Sequence, residues 1–498
     1  MSVLKSQFQS LLLFGSLLLA QACQTQGPGA LESDGDQAED LTPSRLLGKE
    51  AGHDFGAVGR LYADMICTGF WLDLQQEAQS PAMLLTNGHC VQDWNQRASA
   101  WSVIRDVVPQ QAWTVVFRVY HDAPEQQLIV PVKRLVYSTM RGLDLAILEL
   151  GKSVGELRAL GLQPLSLATK SPRPGDPVRI IGIPEEVPEG QKQFLREHRC
   201  REGRRTDVIE WNWYWFDMHA NRCADVANGS SGSPLLDADQ GVFALINTTT
   251  HGSQGSACAL GQPCEVTAQG VQPRTATNYA VNVTGLERCW KKSAWNFRAK
   301  DCPLPEALPF TIELSSPIAF SAKTQARNWL IEVGAGAEEM VWQQAGRAEL
   351  MRCRDKKAYG NPKSLRKLSK VPIVGEEGVY LNCLWPERSS ERLPLVLVTH
   401  VDLTPPQGDI KPEITVFPDS VSLMLEAKPP EWSSFRYALG RAGRLDCRKV
   451  SLKSLPPRAL RISKKEVPAS FCVQGFDQAG NASGILQFHI AADGRLER

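Results

Sequence analysis

Residues 228–235 read Asn-Gly-Ser-Ser-Gly-Ser-Pro-Leu, a glycine-rich turn around Ser231 that leads into an apolar run. Two upstream segments supply the groups that such a serine needs: residues 86–90 (TNGHC) contain His89, and Asp144 heads an apolar run. A serine hydroxyl is a poor nucleophile until a neutral imidazole takes its proton, and a buried carboxylate must hold that imidazole in the right tautomer. The order His89, Asp144, Ser231, with gaps of 55 and 87 residues, therefore predicts nucleophilic acyl transfer.

The serine turn also predicts a site for the negatively charged oxygen of the reaction intermediate. That oxygen needs two backbone N–H donors, and losing one typically costs about 2.7–4 kcal/mol. Gly229 can present its N–H without hindrance, and Ser231 would supply the second donor. Taken alone, a histidine beside a cysteine is more often structural and Asp144 could cap a turn, so the prediction depends on the combination.

These three segments together resemble the trypsin-like (chymotrypsin-fold) serine peptidases, in particular the secreted bacterial glutamyl-endopeptidase-like branch. The likeness to that branch rests on the Ser-Gly-Ser-Pro ending of the serine motif, on Gly-Ile-Pro at 182–184 and on Asn-Tyr-Ala-Val at 278–281. The resemblance covers about residues 55–288 and implies a double six-stranded β-barrel with the catalytic groups in the cleft.

The same resemblance implies a role for each residue of the motif. His89 is expected to be the general base and acid, Asp144 the orienting carboxylate and Ser231 the nucleophile. A disulfide between Cys67 and Cys90 is expected to pin the histidine loop.

Two residues are candidates for the substrate pocket. Asp225 lies six residues before Ser231, where trypsin-like enzymes with a basic preference carry an acidic residue, and a buried carboxylate there would favour Arg or Lys. The alternative for Asp225 is a loop acid bonded to Arg222 or to solvent. His251 could instead line the pocket and favour Glu, as a histidine does in the glutamyl branch.

The 498-residue chain carries 55 Lys and Arg against 54 Asp and Glu. This near-neutral balance gives no reason to expect nucleic acid or an anionic membrane surface as the main partner. The resemblance to serine peptidases implies a protein or peptide substrate. The remaining histidines show no HExxH or similar metal spacing, so no catalytic metal and no cofactor are predicted.

Residues 1–22 have the pattern of a secretory signal: one Lys, an apolar run of about ten residues and an Ala-Gln-Ala end. Cys23 follows the expected cut, which resembles a bacterial lipoprotein signal with a lipidated N-terminal cysteine; simple cleavage near Cys23 is the alternative. Either way an exported protein is expected, as a periplasmic protein, an outer-membrane lipoprotein or an extracellular protein. A membrane partner is expected only through that anchor.

The chain contains 13 cysteines, and twelve remain once Cys23 is assigned to the leader. An even number in an oxidising compartment predicts disulfides. Pairing in sequence order would give six loops of about 6 to 30 residues, although the sequence leaves the connectivity open.

The predicted fold class is all-β: a double β-barrel trypsin-like peptidase followed by two β-sandwich modules similar to Ig and fibronectin-III domains. The modules are predicted from a weak repeat in which corresponding cysteines, 353 with 447 and 383 with 472, lie 94 and 89 residues apart. Residues 290–298 (WKKSAWNFR) are predicted to form a closing helix. The expected divisions are an acidic linker at 23–50, the peptidase at 51–302, a linker at 303–309, and modules at 310–405 and 406–498.

The sequence therefore predicts a secreted or lipid-anchored serine endopeptidase that acts through an acyl-enzyme. The alternative is a catalytically weak, peptidase-like binding or adhesion protein that acts through its C-terminal sandwiches on an envelope or cell-surface partner. Esterase chemistry with the same triad is a third possibility. If the modules are independent, deleting residues 306–498 should leave cleavage of small peptides intact.

Overall fold

The structure is a computed structural model of the chain. Contacts divide the chain into two units, Met1–Ala38 and Glu39–Arg498, and every described residue belongs to the second. The predicted signal segment, Cys23 and the linker up to residue 41 lie outside the described residues. No helix among the described residues is long and apolar enough to cross a membrane. The described residues are 42–51, 53–92, 101–186, 193–251, 257–314, 319–320, 331–336, 338–370, 376–387, 393–407, 410–425, 432–455 and 459–497.

The first barrel is a closed ring of six antiparallel strands. Its interior is filled mainly by aliphatic and aromatic side chains, the residue types that fit a small β-barrel. In order around the ring the strands are Val58–Tyr62, Ile66–Leu72, Pro81–Thr86, Leu145–Ser153, Leu128–Thr139 and Thr114–Phe117. Beside them lie the strand Val103–Val107, the 3-10 helices His53–Phe55, His89–Val91 and Pro124–Gln126, and the α-helix Val154–Ala159.

The second barrel is also a closed ring of six antiparallel strands. Around the ring they are Pro177–Gly182, Arg196–Glu210, Trp213–Asn221, Asn278–Asn282, Val242–Thr249 and Pro234–Leu236. Three further strands extend this sheet: Arg45–Leu46, Cys264–Thr267 and Gly270–Pro273. The expected double six-stranded barrel is therefore confirmed.

The segment predicted as a closing helix folds differently, and that prediction is wrong. A 3-10 helix, Leu286–Cys289, is followed by the two-stranded hairpin of Trp290–Lys291 with Ala294–Trp295. The two residues of its turn both have positive φ, 51° and 58°, as a tight hairpin turn of the primed type requires.

The C-terminal part of the chain forms further β-sheets, so the all-β prediction is confirmed, whereas the likeness to Ig and fibronectin-III domains stays a prediction. The first group of strands is Ile312–Leu314, Ala319–Phe320, Ile331–Val333, Met340–Arg347, Lys363–Ser364, Gly378–Pro386 and Leu395–Val401. The second is Glu413–Val416, Ser420–Met424, Ser434–Arg441, Lys453–Ser454, Leu460–Ser463, Ala469–Phe476, Leu486–Ile490 and Leu496–Glu497. Short 3-10 helices are Ala348–Leu350, Lys356–Ala358, Leu365–Lys370 and Lys464–Glu466.

Six disulfides join the twelve remaining cysteines in sequence order. The pairs are Cys67–Cys90, Cys200–Cys223, Cys258–Cys264, Cys289–Cys302, Cys353–Cys383 and Cys447–Cys472. Cys289–Cys302 closes the segment that contains the hairpin at 290–295, between the second barrel and the C-terminal strands.

Candidate active site

His89 and Asp144 meet at one end of the first barrel. His89 begins the short helix that follows the strand Pro81–Thr86, and Asp144 comes directly before the strand Leu145–Ser153. These two strands pair with each other antiparallel, so the end of one lies beside the start of the other. The buried carboxylate of Asp144 has one oxygen 2.6 Å from Nδ1 of His89 and accepts the backbone N–H of His89 with the other, at 2.9 Å. Asp144 therefore fixes both the ring and the backbone of His89.

Gly88 allows this close approach. A Cβ atom at this position would lie 2.3 Å from the carbonyl oxygen of Thr139 and 2.9 Å from Oδ1 of Asp144. Any other residue would push the histidine loop away from the carboxylate. The glycine before His89 is thus explained by contact with the neighbouring strand.

The surroundings of His89 favour its charged form. Burial would lower the pKa of His89, but attraction to Asp144, the hydrogen bond between them and attraction to Glu210 outweigh burial and raise that pKa. An imidazole that is stabilised when it carries a positive charge is suited to accept a proton from a nucleophile.

Ser231 lines the same pocket as His89 and lies in the turn before the strand Pro234–Leu236 of the second barrel. Its hydroxyl donates to the carbonyl oxygen of Asn247, 3.3 Å away. His89 and Ser231 therefore come from different barrels and face one pocket.

The peptide bond before Gly229 has a defined orientation. The carbonyl oxygen of Asn228 accepts the backbone N–H of Glu185 at 2.6 Å. In a trans peptide the C=O and the following N–H point in opposite directions, so the N–H of Gly229 points away from Glu185. Gly229 has φ of +86°, a conformation that favours glycine, and a Cβ there would lie 2.8 Å from the nitrogen of Glu185.

Thr68 ties the serine turn to the first barrel. Its backbone N–H donates to the carbonyl of Ser231 and its hydroxyl donates to the carbonyl of Gly229, both at 2.8 Å. Thr68 follows Cys67, whose disulfide partner Cys90 follows His89. One short segment thus holds the serine turn by hydrogen bonds and the histidine loop by a covalent bond.

The pocket between the barrels has a volume of about 470 Å³. Its described lining is Met65, His89, Met140, Glu186, Glu210, Trp213, Trp215, Ala227, Asn228, Ser231, Ile246, Asn247, Thr248, Thr249, His251, Leu260, Gly261 and Gln262. The lining combines both proposed reacting groups with apolar walls and two carboxylates.

Asp225, which the sequence suggests for the substrate pocket, is not brought to the described lining of this pocket. Its exposed carboxylate accepts the backbone N–H of Ser44 at 2.7 Å and the hydroxyl of Ser44 at 2.9 Å. The backbone of Asp225 is in the left-handed conformation, with φ of 60°. These contacts fit the alternative prediction for Asp225, a loop acid bonded to a polar partner, better than a pocket residue. The partner is Ser44 and not the expected Arg222.

His251 does line the pocket. Its backbone N–H donates to the hydroxyl of Thr249 at 3.1 Å, and its Nε2 atom is buried with no hydrogen-bond partner among the described residues. Burial lowers the pKa of His251, although Asp225 opposes that effect. A neutral imidazole here would act as a hydrogen-bond partner rather than as a fixed positive charge.

Sequence reasoning missed Thr68 and Glu210. Glu210 ends the strand Arg196–Glu210 and lines the pocket while only 5% exposed. Nothing in the local sequence marks either residue, because each gains its place only when distant strands pair. The structure also places Trp213 and Trp215 in the pocket wall.

Among the described residues, one group of three side chains brings possible metal-ligand atoms close together. Cys67, His89 and Cys90 offer ligand-type atoms within 4.8 Å of one another. The two sulfur atoms form a disulfide, so neither can act as a thiolate ligand.

Comparison with known protein families agrees with this fold. Residues 67–245 match the family model described as trypsin-like peptidase domain. This span contains all three residues of the proposed triad. No curated protein matches the chain.

Several solved structures match about half of the chain. The inactive form of Rv3671c from M. tuberculosis H37Rv is 18% identical, over 47% of this chain and 84% of that one, with a TM-score of 0.28. The thermostable serine protease AL20 from an extremophilic microorganism is 15% identical, over 50% and 98%, with a TM-score of 0.32. Glu endopeptidase is 16% identical, over 47% and 87%, with a TM-score of 0.28. At identities this low, the substrate of one protein does not indicate the substrate of the other.

Proposed function

We propose that this protein is a serine endopeptidase in which Ser231, His89 and Asp144 hydrolyse peptide bonds through an acyl-enzyme. The observation that carries the proposal is the His89–Asp144 pair, with its 2.6 Å contact, on the same pocket as Ser231 within the matched domain. The trypsin-like fold supports a peptidase, and the constellation supports the choice of residues.

The proposed reaction begins when the hydroxyl of Ser231 turns from Asn247 toward Nε2 of His89. His89 takes the hydroxyl proton as the oxygen attacks the substrate carbonyl, and then gives that proton to the leaving amine. Asp144 keeps the second ring proton on Nδ1, so that Nε2 is free to accept. Water then attacks the acyl carbon while His89 takes its proton, and His89 gives that proton to the oxygen of Ser231 as the ester bond breaks and the acid product leaves.

The orientation of the Gly229 peptide supports an active enzyme over the alternative of a peptidase-like binding protein. The oxyanion needs N–H donors that are in place before the reaction. The carbonyl of Asn228, in the peptide that carries the Gly229 N–H, accepts the N–H of Glu185, and the carbonyl of Ser230, in the peptide that carries the Ser231 N–H, accepts the N–H of Ser233. Because the C=O and N–H of a trans peptide point in opposite directions, these bonds fix the orientation of both N–H groups. We assign the two donors to Gly229 and Ser231.

We further propose that the protein is exported, with Cys23 as a lipid anchor. The six disulfides support an oxidising compartment. Mass spectrometry of the mature N-terminus distinguishes a lipidated Cys23 from simple cleavage near it. The C-terminal sheets are proposed to bind an envelope or cell-surface partner.

Fluorophosphonate labelling tests the catalytic proposal directly. The purified protein is expected to label stoichiometrically, and peptide mapping should place the adduct on Ser231. Ser231→Ala is the matched control, because it removes one oxygen and nothing else, and it should not label. Absence of label on the folded wild type, or equal labelling of Ser231→Ala, would contradict the proposal.

The pH dependence of kcat/KM follows from the raised pKa of His89. The general base acts in its neutral form, so activity should fall as the pH falls through that pKa. Because the pKa of His89 is raised, the midpoint of this acid limb should lie above the ordinary histidine value of about 6.5. A profile measured with a peptide that carries no titratable side chain checks this, and a midpoint below about 6.5 would contradict it.

A further inference from the structure

Glu210 is a buried carboxylate in the wall of the proposed catalytic pocket. It is only 5% exposed, and one of its oxygens accepts the backbone N–H of Gly261 at 2.7 Å. Its other oxygen, Oε2, is buried without a hydrogen-bond partner among the described residues. Burying a carboxylate oxygen without a partner is costly, so a residue held in this way at a pocket wall points to a ligand that supplies the partner.

The walls beside Glu210 are apolar and aromatic. Trp213 and Trp215 line the same pocket, with nearly parallel rings whose centroids lie 6.0 Å apart, and Met140 and Leu260 add aliphatic surface. A lysine or arginine side chain carries an apolar stem and a cationic head, so it can cover apolar surface while its head reaches a carboxylate. Indole rings also attract cations.

The charges around the pocket favour a cation over an anion. Glu186 and Glu210 belong to the lining, whereas no lysine or arginine is found in its described part. Asp144 adds a third carboxylate directly behind His89. An acidic substrate side chain would meet this negative field with only the imidazoles of His89 and His251 to oppose it.

We propose that the pocket selects peptides with a lysine or arginine side chain placed against Glu210, a specificity that rests on the proposed peptidase function. The preference for basic substrates that the sequence suggested through Asp225 is thereby assigned to a different carboxylate. Glu210 is a specificity-determining residue in this proposal and takes no part in bond cleavage.

The surroundings of Glu210 agree with this role. Burial raises the pKa of Glu210, and the hydrogen bond from Gly261, the nearby Thr248 side chain and attraction to His89 only partly oppose that effect. A cationic head group at the carboxylate would favour its ionised form. Cation binding and ionisation of Glu210 would therefore strengthen each other.

A peptide series tests the subsite. Each peptide carries a single lysine at one position around the scissile bond, and a matched peptide carries norleucine, which has a similar stem without the charge. For wild type, lysine is expected to raise kcat/KM over norleucine at one position by about 10- to 100-fold, the range for a hydrogen bond to a charged group. In Glu210→Gln, which keeps the shape of the side chain, that ratio should fall toward one.

Asp225→Asn is the matched control, because it neutralises the carboxylate that binds Ser44, and it should keep the wild-type ratio. Loss of the ratio in Asp225→Asn but not in Glu210→Gln would overturn the proposal. A wild-type ratio near one at every position would also overturn the proposal. That measurement uses only the wild-type protein, so it is valid even if Glu210→Gln does not fold.

The test separates this subsite from the proposed function. If wild type labels with fluorophosphonate and cleaves peptides without a preference for lysine, only the subsite is wrong. If it neither labels nor cleaves any peptide, the peptidase proposal fails and the subsite falls with it.

Discussion

Replacing Asp144 by asparagine is expected to lower kcat by about four orders of magnitude, the effect of the same change in enzymes with this triad. One oxygen of Asp144 accepts the backbone N–H of His89, and an asparagine carbonyl can keep that bond. Its NH₂ group then faces Nδ1 of His89, which must become an acceptor. The ring proton moves to Nε2, and the imidazole can no longer take the proton of Ser231.

The measurement is kcat for a small peptide or ester substrate, with the thermal midpoint as a check on folding. Asp225→Asn provides the comparison, because it makes the same chemical change at an exposed carboxylate. A fall of less than tenfold in folded Asp144→Asn would mean that Asp144 does not set the tautomer of His89.

The three residues of the proposed triad could be picked out in the sequence because each lies in a short segment of characteristic composition. Gly88 precedes His89 because there is no room for a side chain against Thr139, and Gly229 marks a turn with positive φ. Such local requirements restrict which residue a position accepts, so they can be recognised in the sequence. The order of the segments then identifies the fold in which they meet.

The walls of the pocket could not be predicted in the same way. Glu210 lies 21 residues before Ser231, and only the pairing of distant strands brings it to the pocket. Asp225 has the expected spacing from Ser231, yet its carboxylate accepts hydrogen bonds from Ser44, which lies far away in the sequence. Spacing along the chain does not determine which partner a surface carboxylate finds.

The hairpin at 290–295 shows another limit of sequence reasoning. Its turn residues, Lys292 and Ser293, lack the Asn-Gly or Asp-Gly signal that usually marks two residues with positive φ. The tryptophans on its strands, Trp290 and Trp295, contact each other edge to face with centroids 5.2 Å apart. This pairing stabilises the hairpin, although the composition of the segment allowed a helix.

The C-terminal sheets contact the second barrel through a shared apolar core, which argues against independent modules. Ile209, Tyr214 and Phe216 of the second barrel belong to one buried cluster with Leu381 and Val398. The proline-containing linker and the repeated cysteines suggested separable modules. A sequence does not show which of its apolar faces meet, so the shared core could not be predicted from it.

Polar contacts cross the same boundary. Nε2 of the half-buried His400 lies 2.8 Å from the carbonyl oxygen of Trp211, in the turn that follows Glu210. The guanidinium of Arg354 lies over the ring of Phe216, 4.5 Å from its centroid. The linker is attached as well, since the Tyr137 hydroxyl donates to the carbonyl of Pro305 at 2.8 Å. The wall that carries Glu210 is therefore held partly by the C-terminal strands.

Deleting residues 306–498 is accordingly expected to leave a protein that is insoluble or strongly destabilised. The deletion would expose at least Ile209, Tyr214 and Phe216, at about 1.5–3 kcal/mol each. The total is comparable with the whole net stability of a typical domain, about 5–15 kcal/mol. Soluble expression, the thermal midpoint and kcat/KM for a small peptide measure the effect.

Deleting only residues 410–498 is the matched control, because the last two sheets have their own core, built around residues such as Val421, Phe471 and Phe488. One described tie is the Asn481 amide, which donates to the carbonyls of Asp402 and Thr404. This shorter protein should keep the thermal midpoint of the barrels and the activity on small peptides, because the shared core around Tyr214 and Phe216 is intact. Equal stability and activity of the two truncated proteins would show that the shared core does not support the peptidase.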